Sequence, residues 1–385
     1  MKVLELTNYS SGICGVWARV KEESEGLSRL GYEVKIFSSN LTKGSNNVAP
    51  PKGNLGKIEI KRFASIQPGT YPLHFLPGGE SYMFWNFKEA GKEIRKFKPD
   101  LIIVHSYRHT HNLFALRMAK KIGAKVFLVT HAPFVEEDAT RSFWGHSASW
   151  FYNYFIGSKT INKFDKVITI THWEEPYLKK LGVKPEKLAY IPNGIPGLFF
   201  KYKKKVPEEN KILFLGRIAP IKDLETLISA FALIKNKKIK LELVGPAEEG
   251  YLLKLKDLIK KKFLEKRVTF SGPIYNLEDK LSKIDSSKIF ILPSKREAMP
   301  QSLIEAMARK KIVISSNNPG SKEIVLKEGG FLFNVGDATD LAKKVDSALS
   351  LSPKARNKIK LKAFNSVNKF NWERVIKSLD LEIKK

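Results

Sequence analysis

Short apolar runs alternate with longer amphipathic stretches from one end of this chain to the other, and that rhythm restricts the fold more than any other feature. Residues 3–6, 33–37, 101–104, 126–129 and 167–170 are runs of four or five residues, mostly rich in Val, Ile or Leu. Their unbroken apolar character is that of strands buried on both faces of a parallel sheet, not of half-wet antiparallel strands. The stretches 20–30, 84–96 and 113–121 between them carry helical periodicity. Strand and helix in alternation predict crossover βαβ units and a doubly wound sheet.

The segment Ile191-Pro192-Asn193-Gly194-Ile195-Pro196-Gly197 interrupts the rhythm, and lysine-rich residues 201–205 and Pro207 follow it. Two prolines and two glycines so close together mark a linker. The pattern then restarts, with strands expected at 211–215, 240–244, 267–271, 289–292, 312–315 and 331–334. Helices are expected at 224–235, 250–262, 277–286, 301–308 and 339–349. At about 150 residues per domain, a chain of 385 is expected to form two similar α/β halves about a hinge. No short-period repeat is present, which argues against a solenoid.

Lys and Arg number 68 against 39 Asp and Glu, a formal net charge of +29. That excess favours anionic partners (nucleotides, phosphosugars, nucleic acid or an acidic lipid surface) without choosing among them. Lysines 254, 256, 260, 261 and 262 read as a solvated helix face. With 43% hydrophobic and 28% charged residues, disorder is excluded as the main state. The single cysteine, Cys14, allows neither an internal disulfide nor a cysteine zinc cluster. A reducing cytoplasm suits such a chain. No apolar run approaches the ~20 residues of a membrane-spanning helix, and Glu5 interrupts what would be a signal-peptide core. The expectation is a cytoplasmic protein that does not cross a membrane, with peripheral contact left open.

The chemistry-bearing residues sit where strands end. In Arg296-Glu297-Ala298-Met299-Pro300-Gln301-Ser302-Leu303-Ile304-Glu305, Pro300 fits the first turn of a helix. Glu297 then stands in the loop at a strand's C-terminal end, the edge where open α/β sheets bind ligands, and Glu305 lies one to two turns into the helix. The first N–H groups, of Met299, Gln301 and Ser302, would face an anion. The two carboxylates suit hydroxyl pairs on either side of it. On spacing alone, a solvated acidic helix remains an equal reading. The turn Gly216-Arg217-Ile218-Ala219-Pro220-Ile221-Lys222-Asp223 offers two cations that would stabilise charge on a departing diphosphate, with Asp223 placed to cap the next helix. Two solvated loop cations would look the same.

Asn8-Tyr9-Ser10-Ser11-Gly12-Ile13-Cys14-Gly15 joins the first strand to the first helix. Its glycines allow close backbone approach, but it is neither a full dinucleotide fingerprint nor a P-loop. His131 follows a strand in Val129-Thr130-His131-Ala132-Pro133. His105, His109 and His111 cluster, yet no neighbouring carboxylate or cysteine completes an evident ligand set, so loop or packing roles are expected for them.

Together these pieces resemble the retaining glycosyltransferases of family four, which have the two-domain GT-B architecture. The landmarks in order are the Gly12–Gly15 loop, His131, Ile191-Pro192-Asn193-Gly194-Ile195, Gly216-Arg217 with Lys222, and Glu297 and Glu305 with seven residues between. The tail Phe370-Asn371-Trp372-Glu373-Arg374-Val375 looks like the family's final helix, which crosses back onto the N-terminal domain.

The resemblance implies two Rossmann-like doubly wound domains facing across a cleft. They would be an acceptor-side domain at 1–195 and a nucleotide-sugar domain at 196–365, with a returning helix at 366–385. It implies that Arg217 and Lys222 grip the donor phosphates and aid leaving-group departure, and that Glu305 holds the ribose. Glu297 would contact the transferred sugar, backbone around Ala298, Met299 and Pro300 would meet the diphosphate, His131 would touch the sugar, and Gly15 would let its loop approach the phosphates. No metal or other cofactor is implied; a UDP- or GDP-hexose is a substrate. Two departures stand out: Ala298 replaces the family's usual glycine, and only Arg19 represents a basic residue after the first loop. The implied reaction retains anomeric configuration. With no nucleophilic carboxylate evident, front-face attack by the acceptor is expected, completed by closure of the two halves.

Two aromatic stretches, Tyr82-Met83-Phe84-Trp85-Asn86-Phe87 and Phe143-Trp144…Trp150-Phe151-Tyr152…Tyr154-Phe155, lie near lysines. Interfacial helices at anionic bilayers have this composition, and so do helices buried on a sheet. With the charge, they motivate a glycan or lipid-linked acceptor at an anionic membrane surface. A nucleotide-sugar epimerase of the same architecture and a basic nucleic-acid-binding protein are the competing classes. No nucleic-acid motif supports the latter, and nucleic acid is not the expected partner.

Overall fold

The computed structural model describes every residue except Ile13 and residues 44–46, 68–81, 135–149, 202–205 and 326–328. The chain forms two compact units, Met1–Gly194 with Trp372–Lys385, and Ile195–Asn371.

The first unit contains β1 (Lys2–Thr7), β2 (Glu33–Ser39), β3 (Lys52–Leu55), β4 (Ile58–Phe63), β5 (Ser65–Ile66), β6 (Phe84–Trp85), β7 (Leu101–His105), β8 (Lys125–Val129), β9 (Lys166–Thr169) and β10 (Leu188–Tyr190). Eight of them form one sheet in the order β10-β9-β8-β7-β1-β2-β4-β3. Its pairings are parallel except the β3–β4 hairpin. All five residues of β7 are buried, as its unbroken apolar run requires. The hairpin has no such run: β4 mixes apolar and polar residues, β3 forms the sheet's edge beside it, and Gly56 turns the chain at φ +57°. The helix expected from residue 84 starts at Phe87 instead. Phe84 and Trp85 pair with β5, and the side chain of Asn86 caps the helix by accepting from the Glu89 N–H.

The anticipated linker is pinned along its first half. Ile191 is buried, and the Arg19 guanidinium donates to Ile191 O and Asn193 Oδ1, both at 3.0 Å. Gly194 is required, since a Cβ there would stand 2.5 Å from the Trp372 ring. The C-terminal helix Trp372–Lys384 docks on the helix Gly15–Arg29 at Gly26, where a Cβ would stand 2.5 Å from Ile376. The returning segment therefore begins at Trp372, not at 366. The helix Pro353–Val367 and the turn Asn368–Phe370 remain with the second unit because Val367 and Phe370 are buried there.

The second unit contains β11 (Lys211–Leu215), β12 (Lys240–Val244), β13 (Val268–Phe270), β14 (Ile289–Leu292), β15 (Ile312–Ser316) and β16 (Phe331–Phe333). They form one parallel sheet in the order β13-β12-β11-β14-β15-β16. Winding proceeds outward from β11 through β12 to β13, then reverses through β14, β15 and β16. The two directions part between β11 and β14. In the first unit the same reversal lies between β1 and β7. Crevices beyond the C-terminal ends of such strand pairs are where doubly wound sheets take ligands.

Candidate functional site

At the switch point of the second unit, the loops that leave β11 and β14 are fastened together. The Lys295 N–H donates to Ile221 O at 2.9 Å. Lys222, at the end of the β11 loop, places Nζ 2.5 Å from Glu297 Oε1, and Ser294 Oγ donates to the same oxygen at 2.6 Å. These side chains are only 20% and 13% exposed for Lys222 and Glu297, so the pair is held rather than solvated.

Arg217 shares the turn but not the cluster. It is 61% exposed and lies 3.4 Å from Glu248. The structure thus joins Lys222 to Glu297 while leaving Arg217 on the surface, so the expected convergence of the two cations is not present here. Asp223 does not cap the following helix in the expected way. It sits at φ +51° with no backbone cap bond, its carboxylate accepts from Thr226 Oγ1 at 2.8 Å, and the Leu224 N–H goes to Tyr251 Oη at 3.0 Å.

The helix Gln301–Ala308 begins as expected, except that Pro300 is the residue before its first turn and, lacking a suitable side chain, provides no cap. Ala298 avoids a positive φ, so alanine in place of glycine costs no backbone strain here. Among the described residues, buried Gln301 Nε2 has no partner. Glu305, buried, accepts from Lys280 Nζ at 2.6 Å through Oε1, while its buried Oε2 has no partner among the same residues. Burial pushes this carboxyl above the usual range and Lys280 pulls it back. Each buried polar atom left unpaired costs about 1–3 kcal/mol, and this helix carries one such donor and one such acceptor among the described residues.

Several supporting residues escaped the sequence reading. A Cβ on Gly245, at φ +146°, would stand 1.9 Å from Gly216 O, and one on Gly320 would stand 2.4 Å from Glu297 O. Asn318 Nδ2 and Ser316 Oγ donate to Ser294 O. These contacts hold the two loops from behind. Only the position of Gly245 directly after β12 hinted at them; Gly320 lies within the helix Pro319–Ile324.

In the first unit the N-terminal loop and the histidines gather at the corresponding edge. Gly15 opens the helix Gly15–Arg29 with nothing within 4 Å of where a Cβ would be. Asn8 Nδ2 donates to His109 Nδ1 at 2.6 Å. Four non-glycine residues here take positive φ: Ser106, Arg108, His131 and Ala132. Such strain, about 1–3 kcal/mol for each residue, persists where surroundings over-determine it and clusters at functional sites. The expectation that no carboxylate accompanies the histidines fails, because Glu5 from β1 and Glu23 from the first helix stand beside His105, with ligand-type atoms within 4.8 Å of one another. Separation in sequence concealed them. One oxygen of each carboxylate is paired, His105 Nε2 lying 2.7 Å from Glu5 Oε2 and Arg19 Nε 2.7 Å from Glu23 Oε2, while among the described residues Glu5 Oε1 and Glu23 Oε1 have no partner. Arg19, 1% exposed, is an internal tie rather than an acceptor-facing cation.

The aromatic stretches differ in burial. In the first, Met83 and Trp85 are buried, Trp85 stacking on His111 at 5.1 Å, while Tyr82 and Phe84 are exposed; in the second, Trp150, Phe151, Tyr154 and Phe155 are all exposed. Phe143 and Trp144 lie outside the described residues. Among the described residues no helix is long and apolar enough to cross a membrane.

Comparison with known proteins agrees with this architecture. The model of the Glycosyl transferases group 1 family matches residues 198–365, and that of Glycosyltransferase Family 4 matches residues 13–196. An uncharacterized glycosyltransferase of Haemophilus influenzae is 31% identical over 343 residues, covering 84% of this chain and 83% of its own. Another, of Methanocaldococcus jannaschii, is 24% identical over 392 residues, covering 96% and 94%. Among solved structures, sucrose-phosphate synthase from Thermosynechococcus elongatus superposes with TM-score 0.79 at 20% identity, covering 100% of this chain and 98% of its own. Anabaena HepE in complex with UDP and glucose superposes with TM-score 0.73 at 17% identity, covering 100% and 99%. At these identities the superpositions speak for the fold, GT-B. The chain belongs to the glycosyl transferases group 1 family and is a glycosyltransferase.

Proposed function

We propose that the protein transfers a hexose, of the mannose or glucose type, from a UDP- or GDP-sugar to a hydroxyl acceptor with retention of anomeric configuration. The observation that carries this reading is the unpaired Oε2 of buried Glu305, one turn beyond an uncapped helix N-terminus at the switch point. A ribose diol supplies the missing donor, and the diphosphate then falls against the first-turn amides and Gln301 Nε2. Related structures support a nucleotide-sugar donor, since Anabaena HepE forms complexes with UDP and with UDP-glucose.

Breaking the anomeric C–O bond builds negative charge on the diphosphate and positive charge on the sugar. Lys222 and the helix amides stabilise the first. Arg217 joins them by exchanging its exposed contact with Glu248 for phosphate, at little cost for a surface pair. Glu297, oriented by Lys222 and Ser294, takes the hydroxyls of the transferred sugar. The family resemblance assigns His131 to the same sugar and Gly15 to a phosphate-approaching loop. In this scheme protein cations carry the charge stabilisation that a divalent metal would otherwise supply. The acceptor attacks from the face the diphosphate leaves, and its proton passes to the departing phosphate oxygen.

For the acceptor, the exposed cluster Trp150, Phe151, Tyr154 and Phe155 together with the +29 charge favours a lipid-linked glycan at an anionic membrane surface. Flotation with anionic vesicles at low and high salt tests this, and no binding under either condition removes it.

Thermal-shift measurement against a panel of UDP- and GDP-sugars tests the donor. A ligand at a hundred times its Kd adds about 2.7 kcal/mol to the folded state, so one base should raise the melting temperature clearly. Absence of any shift across the panel would overturn the donor site. Sugar-nucleotide interconversion without acceptor would identify an epimerase instead.

A further inference from the structure

Glu5, His105 and His131 form a hydrogen-bonded line running from the interior of the first sheet to its C-terminal edge. Glu5 lies midway along β1, His105 ends the adjacent β7, and His131 follows β8. His105 Nε2 lies 2.7 Å from Glu5 Oε2, and His105 Nδ1 lies 3.0 Å from His131 Nε2. Glu5 and His105 have no exposure, while His131 is partly exposed. The other titratable groups acting on this line are Arg19 and Glu23 of the first helix, His109, and His111, whose Nε2 donates to His105 O. Arg19 is bonded to Glu23, so that cation is already matched by a carboxylate, and Glu5 Oε1 has no partner.

An ionised Glu5 beside a neutral His105 would leave an uncompensated charge in a dry interior, at a cost of several kcal/mol. The proton that cancels it lies in the 2.7 Å contact, on Glu5 Oε2 or on His105 Nε2, because on Glu5 Oε1 it would be buried with no acceptor among the described residues. In either case His105 Nδ1 carries a hydrogen and points it at His131 Nε2. That nitrogen of His131 is then an acceptor, and the proton of a neutral His131 ring must sit on Nδ1. Burial agrees, driving the Glu5 carboxyl up to about 8 and His105 down to about 4, and holding His131 well below its ordinary value. The backbone is fixed to match. His131 and Ala132 sit at φ +58° and +50°, and buried Glu174 anchors their turn by accepting from Thr130 Oγ1 at 2.7 Å and from the Ala132 N–H.

We propose that Glu5 and His105 are positioning residues that lock His131 as the neutral Nδ1–H tautomer, making it a hydrogen-bond donor and not a base. Its use in catalysis rests on the sugar-contacting role assigned above; the tautomer itself does not. Two-bond proton–nitrogen spectra of the full chain with nitrogen-15-labelled histidine test it without any ligand. At pH 7, His131 should show a protonated Nδ1 and an unprotonated Nε2. Glu5→Gln should keep that pattern, because an amide N–H donates as a carboxylic acid does, and Glu5→Leu should yield mixed tautomers. A wild-type His131 protonated on Nε2, or on both nitrogens, overturns the proposal even if the Leu variant fails to fold. A stoichiometric metal ion in the purified wild-type chain also overturns it. In donor hydrolysis, read as UDP release from UDP-glucose or GDP release from GDP-mannose, Glu5→Leu should lower kcat about 10–100-fold with KM little changed, by analogy with the carboxylate partners that orient metal-bound histidines. Glu5→Gln should retain most of it. If the wild type releases nothing from either donor, the donor reading fails, and the spectra alone decide the tautomer.

Discussion

Replacing Lys222 with methionine removes the ammonium group 2.5 Å from Glu297 Oε1 and leaves that carboxylate with the Ser294 hydroxyl. At an effective dielectric near 20 the gross attraction over that distance is about 6–7 kcal/mol, most of it offset by desolvating both groups. The pair is 20% and 13% exposed, between surface pairs contributing about 0–1 kcal/mol and fully buried ones whose disruption costs about 3–5 kcal/mol. A loss of about 2 kcal/mol is therefore expected for Lys222→Met, and a similar loss for Glu297→Gln. For a unit of this size, roughly 2–4 °C per kcal/mol applies, giving a fall of about 4–8 °C in the second unit's calorimetric transition. The double variant should lose much less than the sum of the singles, because neither charge is left unpaired. Activity should behave oppositely. If Lys222 stabilises the leaving diphosphate, turnover falls about 10²–10³-fold in Lys222→Met and does not recover in the double variant. Additive stability losses would refute the coupling, and turnover within tenfold of wild type would refute the leaving-group role.

Glu305→Gln should weaken UDP or GDP binding about 10–100-fold in titration calorimetry, the worth of a charge-assisted hydrogen bond; unchanged affinity contradicts the ribose role. Gly245→Ala should lower the second unit's melting temperature and nucleotide affinity together, because a Cβ 1.9 Å from Gly216 O displaces the Arg217 turn; a melting curve identical to wild type would show that the turn does not depend on this glycine. The first unit should be most stable near pH 5–6. Below that, His105 and His111, pushed down to about 4 and about 3 by burial from an unfolded value of 6.5, stay neutral while the unfolded chain binds protons, so their contribution is lost as pH falls. Above it, Glu5 and Glu174, raised to about 8 and about 7 by burial from 4.5, keep protons the unfolded chain has released, so stability falls as pH rises. Calorimetry from pH 4 to 9 showing a steady gain from pH 6 to 8 would contradict this assignment.

Much of the second unit could be read in advance because its central strands β12, β14 and β15 are buried almost throughout and its helices start at clear punctuation. Lys211–Leu215, Lys240–Val244, Leu277–Ser286, Ile289–Leu292 and Gln301–Ala308 have the bounds that the apolar runs indicate. The β3–β4 hairpin and the Phe84–Trp85 strand were not legible, since edge pairing leaves only weak patterning and a two-residue strand leaves none. The site divided along the same physical line. Glu297, Lys222 and Glu305 stand where strand ends announce them. Glu5, Glu23 and Lys280 sit elsewhere in the chain and reach their partners only through tertiary packing, which no local spacing records, whereas Ser294 lies three residues before Glu297 in the same loop. Arg19 shows the reverse error, a charge placed near a loop in sequence that the fold buries to tie down residues 191–193.

The most direct test of the donor site is a crystal structure of the chain with bound UDP or GDP, whichever the thermal-shift panel selects. The account predicts the ribose hydroxyls on Glu305 Oε2 and the diphosphate against Lys222, Arg217 and the amides that open the helix Gln301–Ala308. A nucleotide bound away from the loops that leave β11 and β14 would contradict it.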